Sequence, residues 1–384
     1  MRILILFNNS HRVDGRVCKQ CLTLTQNGHQ VTVIARDDNK QPTEEVICGA
    51  LVKRIIRLPR LKLPIIKQIF LSIAWIKAAL AHDWDAIMAT NADTIDEAAF
   101  CSIWRRKPMA YDARELWLDI ASMPHHPFVK AYWYIREWLG IQRAKLVISA
   151  NEERRQIMKK RYPMVSQDGV IENFPDSTLG TNPNYEQDRI EFRKRLGIPE
   201  DRIVFVFQGS LNRFRGLENL AQAIPFIKSI DKLWFLIVGN GTYKDEFQSE
   251  LKKLGIQNVT FTGRVDYLEL PKYLSAGDVG LLFYPLTCLN YVYAAPNKLY
   301  EYMLNRLAVL ANTVPTVKRV VEDEKCGFVT ADEKPETLAA LIDSACSYPE
   351  NIALMRQRGY EAALAKYTWD IQAPKWLDMI THMA

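Results

Sequence analysis

The sequence is poor in the features that would commit it to a metal site, a membrane span or a disulfide framework. Only 6 histidines and 7 cysteines occur among 384 residues. Cys18 and Cys21 form a Cys-x-x-Cys, but no second cysteine or histidine pair stands at zinc spacing. On a helix those two positions share a face, and both read as small buried residues. An odd, scattered set of cysteines suits a reducing compartment. No stretch reaches the roughly 20 apolar residues that a membrane-crossing helix needs. The opening MRILILFNNS has a short apolar run and no small-residue cleavage site, so it does not read as a secretory signal. The expected location is the cytoplasm, with a peripheral position on the inner face of the plasma membrane as the variant of that reading. Glycine and proline, 17 and 18, are not enriched, and no solenoid-length repeat is present. Neither a G-x-G-x-x-G nor a P-loop lysine signature follows a strand, which weighs against a dinucleotide enzyme or an NTPase. Basic residues are not interleaved with an aromatic stacking platform, so nucleic acid is not an expected partner.

What is present is a soluble, core-forming composition, 48% hydrophobic and 24% charged, at a length that suits two domains. Short branched runs such as RILILF, AIMAT and KLVISA read as buried parallel strands, and each is followed by a helical pattern. The fold class expected is α/β, two doubly wound, Rossmann-like parallel-sheet domains facing a cleft. The boundaries expected are 1–175 for the first domain, 176–189 for a Pro/Asn/Ser-rich linker and 190–366 for the second domain. Residues 367–384 read as an amphipathic helix that packs back on the first domain.

In such sheets ligands bind beyond the carboxyl ends of the strands, in the loops that open the next helices. That rule selects residues 8–16, 90–94 with Asp93, 112–117, 209–216, 239–242, 263–266 with Arg264 and Val265, and 284–297. Loop 209–216 carries Gly209, Arg213, Arg215 and Gly216, with arginine forks suited to phosphate at a helix start. Loop 239–242 has Gly239, Asn240 and Gly241, where a ligand can approach the backbone closely.

The stretch AAPNKLYEYM, from Ala294 and Ala295 onward, opens a helix with Pro296. Asn297, Lys298 and Glu301 fall on neighbouring parts of one face, while Leu299, Met303 and Leu304 point to a core. Two readings stand at this point. One is a capped helix with a surface Lys298–Glu301 pair; the other offers amides and a cation to a diphosphate and a carboxylate to a ribose. A further segment, 51–80, contains Lys and Arg but no Asp or Glu, interleaved with Ile66, Ile69, Ile73 and Trp75. Read as a strand and an amphipathic helix, it suits either an anionic membrane face or a solvated basic rim.

Taken in order, QGSLNRFRGLENL, LIVGNG, VTFTGRV, AGDVGLLFYP and PNKLYEYMLNRLAVLAN resemble a GT-B glycosyltransferase of the retaining family 4 type. DGRVCKQCLTLTQNGHQVTVIA, YDARELW and VIENFP extend the resemblance over nearly the whole chain. It implies a donor nucleotide-sugar bound mainly by the second domain and an acceptor bound mainly by the first. The family's Glu-x7-Glu has its second member at Glu301, which by resemblance holds the ribose hydroxyls, and Tyr293 where the first would stand. Of the family's basic pair, Ser210 stands for the arginine and Arg215 for the lysine, with Lys298 the candidate to restore the missing charge. YDARELW is similar to a DAHEL segment, but Arg114 replaces the histidine and cannot act as a base. Arg114 then stands as an electrostatic partner for the leaving diphosphate. Glu115, His11, Asp14, Gly15, Arg16 and Asp93 are the acceptor-side candidates, the first helix being placed to close over the diphosphate.

The resemblance implies transfer of a hexose with retention from UDP-glucose or another UDP-hexose, or in second place GDP-mannose, to a glycan or lipid-linked acceptor. The setting implied is cell-surface or exopolysaccharide biosynthesis. Arg215, Lys298 and helix-start amides would absorb the diphosphate charge, with no cofactor and no metal, since no DxD stands at a strand end in these loops. The alternatives are a sugar-nucleotide epimerase of similar fold and a catalytically inactive nucleotide-sugar-binding protein.

Overall fold

The computed structural model describes residues 1–383 apart from 10–14, 38–39, 58–63, 124–126 and 214. The chain forms two compact units, one of Met1–Asn173 together with the residues from Gln372 onward, the other of Phe174–Ile371. The first unit holds an eight-stranded sheet. Its strands are β1 (Arg2–Phe7), β2 (Gln30–Arg36), β3 (Glu44–Ile47), β4 (Ala50–Ile56), β5 (Ala86–Thr90), β6 (Met109–Ala113), β7 (Leu146–Ser149) and β8 (Asp168–Val170). They lie in the order β3-β4-β2-β1-β5-β6-β7-β8. All neighbours are parallel except β3 and β4, an antiparallel hairpin at the edge that the sequence reading did not separate. The alternation 44–47 is short and charged, so it lacks the apolar run by which the buried strands are recognised.

β1 is buried from Ile3 to Phe7, as a parallel strand covered on both faces must be. The Gly15–Gln26 helix that follows ends at Asn27-Gly28, where Gly28 takes φ +79 and His29 N–H closes on the Leu24 carbonyl. Inside this helix the expectation for the cysteines divides. Cys21 is buried and outside any disulfide, but Cys18 is bonded to Cys48. The bond is possible because Cys48 occupies the left-handed β3–β4 turn, with φ +50 and the two Cα atoms 5.4 Å apart. A partner 30 residues away leaves no local spacing to read. At the far end of the chain Trp376 is fully buried in this unit, its indole N–H directed at the Gln20 carbonyl.

The second unit holds a six-stranded, all-parallel sheet of β9 (Ile203–Gln208), β10 (Leu233–Val238), β11 (Val259–Gly263), β12 (Val279–Leu282), β13 (Ala308–Ala311) and β14 (Gly327–Val329). The order is β11-β10-β9-β12-β13-β14, so the chain reverses its direction of travel between β9 and β12. Alternation along β9 sends Val204 and Val206 to one core and Phe205 and Phe207 to the other. The stretch expected as a linker is folded onto this unit instead. Asp176 caps a short 3-10 turn, Gly180 accepts from Tyr360 Oη at 3.1 Å, and Tyr185–Arg195 is already a helix of the second unit.

One buried pair ties the first unit together. Arg16 (2% exposed) donates to both oxygens of Asp112 (0%) at 2.9 and 2.7 Å and to the Ile171 carbonyl at 2.6 Å. Gln20 adds a third donor to Asp112. Burial works to raise the Asp112 carboxyl, and the Arg16 guanidinium outweighs it, so the group stays below its ordinary value. Breaking one partner strands a buried charge, so Asp112→Asn is expected to cost about 3–5 kcal/mol. The double change Arg16→Met with Asp112→Leu is expected to cost much less. Denaturant unfolding of the three proteins tests this, and equal losses for single and double variants would show that the pair carries no such penalty.

Candidate functional site

Three strand ends of the second unit are held flush. Gly209 N–H reaches the Val238 carbonyl at 2.8 Å, Gly239 N–H the Gly263 carbonyl at 2.9 Å and Leu211 N–H the Asn240 carbonyl at 3.1 Å. Gly239 sits at φ +146, and a Cβ there would fall 1.8 Å from the Gly209 carbonyl oxygen. The glycine pair in GNGT is thus demanded by the approach of β9 and β10. Beyond these ends lies a cavity of about 490 Å³, lined from four elements by residues that include Gly209, Gly239, Arg264, Tyr267, Lys298 and Glu301. Gln208, Ser210, Val238, Asn240, Val265, Leu270 and Asn297 complete the wall. The position, at the β9/β12 reversal, is where an open α/β sheet takes its ligands.

The Asn297–Leu304 helix forms one wall. Pro296 caps it, one residue earlier than the helical position expected, and Leu299, Tyr300, Tyr302, Met303 and Leu304 are buried behind it. Glu301 (6% exposed) accepts from Gln208 Nε2 through one oxygen and from Tyr267 Oη at 3.2 Å through the other. Tyr302 Oη accepts from Gln208 N–H at 3.1 Å and donates to the Leu281 carbonyl at 3.2 Å, which fixes the helix against β9 and β12.

Lys298 does not pair with Glu301. Its ammonium lies 4.7 Å from the centroid of the Phe207 ring and beside Gly209, where a Cβ would meet Nζ at 2.9 Å. Desolvation, reinforced by the nearby Arg215 charge, brings it down to about 8. The two arginines of the loop after β9 separate clearly. Arg213 forms a salt bridge with Glu246 and covers the Tyr243 ring, whereas Arg215 rests over the Tyr291 ring with no ion pair among the described residues. Lys298 thus lines the pocket with the Arg215 charge close by, and neither cation forms an ion pair with a carboxylate among the described residues. Such a site suits a multiply charged anion.

The remaining donor-side residues fall around this arrangement. Ser210, Asn240 and Arg264 are exposed at the rim; Gly241 is half-buried, close against the Leu211 backbone. Tyr293 follows the short Leu289–Val292 helix, and Ala295 is half-buried just before the capping Pro296. Neither Tyr293 nor Ala295 lines the cavity. Gln208 and Tyr267 were missed in the sequence. Gln208 had a signal, being the one polar residue that closes the apolar run IVFVF; Tyr267 had none.

In the first unit the acceptor candidates disperse. Arg16 is corrected: its guanidinium is committed to Asp112 inside the unit and does not open onto a loop. Asp93 lies beyond β5 and accepts from Asn8 Nδ2 at 2.7 Å, at the β1/β5 reversal; burial raises it to about 6, with Asn8 opposing. Arg114 is half-buried after β6, its carbonyl taken by Arg154, while Glu115 and Gly15 are exposed. His11 and Asp14 lie outside the described residues.

Two parallel-sheet α/β units of this order define the GT-B architecture. Residues 16–176 match Glycosyltransferase Family 4, and residues 188–362 match Glycosyl transferases group 1. The chain belongs to the GT-B glycosyltransferases of the family 4 type. The probable glycosyltransferase WbjE of Pseudomonas aeruginosa is 28% identical over 155 residues, 39% of this chain and 38% of its own length. The putative colanic acid biosynthesis glycosyl transferase WcaI of Escherichia coli is 28% identical over 154 residues, 39% of this chain and 36% of its own. The chain thus spans less than half the length of the curated relatives it matches. Among solved structures, HepE of Anabaena in complex with UDP aligns over 100% of both chains with a TM-score of 0.76 at 19% identity.

The flush strand ends carry a mutational signature. Gly239→Ala should destabilise the second unit by at least about 2 kcal/mol, because backbone atoms must move apart. Gly255→Ala, also at positive φ but facing open space, should cost only about 1–2 kcal/mol. Denaturant midpoints decide, and a Gly239 loss no larger than that of Gly255 would mean that the strand ends are not held as described.

Proposed function

We propose that the second unit binds a nucleotide-diphospho-sugar and that the protein transfers its hexose, with retention, to a hydroxyl of a glycan or lipid-linked acceptor. The observation that carries this is the cavity lined by both Glu301 and Lys298, with the Arg215 charge close to the lysine. Gln208 and Tyr267 orient the carboxylate, which in this reading accepts from two vicinal hydroxyls such as those of a ribose. Lys298 lies against Gly209 at the glycine-rich strand ends, where a diphosphate can approach the backbone. As the bond from sugar to diphosphate breaks, negative charge grows on the leaving oxygen, and fixed cations stabilise it without reorganisation. We read Glu115 and Asp93 of the first unit as belonging to the acceptor side, and Arg114 as an electrostatic partner for the leaving diphosphate.

UDP-glucose is the first choice of donor and GDP-mannose the second. The support for the first is that HepE of Anabaena has been solved with UDP-glucose. The relative named for colanic acid biosynthesis supports a role in polysaccharide assembly. In this reading no metal takes part.

Calorimetric titration with UDP, GDP and ADP in chelator tests the site. One nucleotide should bind, and Glu301→Ala or Lys298→Ala should each weaken it about ten- to a hundredfold, the loss of one charge-assisted hydrogen bond. Absence of binding by the wild type would sink the proposal. The pH dependence has a definite sign. Lys298 attracts phosphate only when protonated, and its value in the free protein is about 8, so affinity should fall as pH rises through and beyond about 8. That slope should flatten in Lys298→Ala; an unchanged slope would remove Lys298 from the phosphate site. Turnover of UDP-glucose should persist in chelator, and its loss with recovery on adding a divalent ion would contradict the metal-free reading.

A further inference from the structure

We infer that the outer face of three helices in the first unit docks on an anionic lipid bilayer. The helices are Pro64–Leu80, Ile95–Arg105 and Pro127–Arg143. They form one layer. Ser72 of the first donates to Glu97 of the second at 2.5 Å, and Gly140 of the third lies so close to Ile95 that a Cβ would meet its Cγ1 at 2.4 Å. Their inward sides are ordinary core: Leu71 and Trp75, Ile95 and Ala98, Ile141.

Their outward sides are not ordinary surface. On the first helix Ile66, Ile69, Phe70 and Ile73 are 40–56% exposed at spacings of three and four. A second amphipathic stripe therefore runs opposite the one that packs on the sheet. Ile103 and Trp104 on the middle helix are 62% and 70% exposed. Phe128 is 78% exposed and Leu139 52% on the third. Scattered exposed apolar side chains are normal; stripes on three adjacent helices make a contiguous patch that needs a cover.

Charge selects the cover. The first helix has Lys67 and Lys77 and no acidic residue. The acids of the other two are turned inward. Glu97 and Asp96 are held by Arg136, and Glu137 is buried between the hydroxyls of Tyr111 and Tyr162. Arg106, exposed just past the middle helix, adds to the positive sign, whereas Lys130 on the third is paired with Asp119 at 3.6 Å. Apolar and aromatic side chains with Lys67, Lys77 and Arg106 beside them match the headgroup boundary of an anionic leaflet. A second copy of this chain is a poorer fit, since a two-fold contact would set these cations against themselves.

The inference stands apart from the donor reading, and flotation of the full chain with vesicles tests it. With phosphatidylglycerol and phosphatidylcholine in equal parts the protein should float at low salt, and high salt should weaken this. Vesicles of phosphatidylcholine alone should bind about tenfold less. The double variant Phe70→Glu with Trp104→Glu should lose at least about tenfold in partition, as two large apolar side chains no longer enter the boundary. Its thermal transition and its nucleotide affinity should match the wild type, because both positions are exposed and lie outside the donor cavity. The inference is overturned if the wild type stays with the dense fraction, or if the variant floats equally well. It is overturned too if lipid-free wild type is a dimer that the double variant dissociates, which would assign the face to a second copy.

Discussion

The approach of Gly239 to the Gly209 carbonyl is the constraint from which the second unit's site follows. Because no side chain fits at 239, the ends of β9, β10 and β11 stay level and their hydrogen bonds continue to the last residue. Because Gly209 also lacks a side chain, the Lys298 ammonium can sit against it and over the Phe207 ring. That seat is apolar, and it keeps the lysine short of water. The pocket is therefore polarised by its backbone geometry before any ligand arrives, in the sense of a preorganised electrostatic environment.

The same unit shows how arginine is divided between structure and site. Asp278 gathers Arg189, Arg193 and Arg356, and those guanidinium groups also take up carbonyls such as Ser275 and Ala276. Burial pushes the Asp278 carboxyl up, and the three cations outweigh it, leaving it below its ordinary value. Arg213 is likewise held by Glu246. What distinguishes Arg215 and Lys298 is not charge or position in a glycine-rich loop but the lack of an ion pair among the described residues, a property of three-dimensional pairing.

That difference marks the limit of what the sequence discloses. Branched runs such as RILILF and IVFVFQ announce buried parallel strands, and the helix face shared by Lys298 and Glu301 is plain from a period of 3.6. The choice between surface pair and pocket is not, because it depends on Gln208 and Tyr267, 93 and 34 residues away from Glu301. Arg16 misleads for the same reason: a basic residue opening a helix after β1 looks available until Asp112, 96 residues on, is found to hold it. The β3 edge strand and the Cys18–Cys48 bond also depend on partners that leave no periodic trace.

The path of the chain between the units has a consequence for how the protein comes into being. The second unit is one uninterrupted stretch, Phe174–Ile371, whereas the first needs residues from both sides of it. Trp376 seals the Gly15–Gln26 helix, yet it is separated from Gln20 by 356 positions. On a ribosome the early-made unit must therefore wait, its last apolar seam open, until the later-made one has been synthesised. Completion runs against the order of translation, and the half-built first unit is the species with most apolar surface to protect.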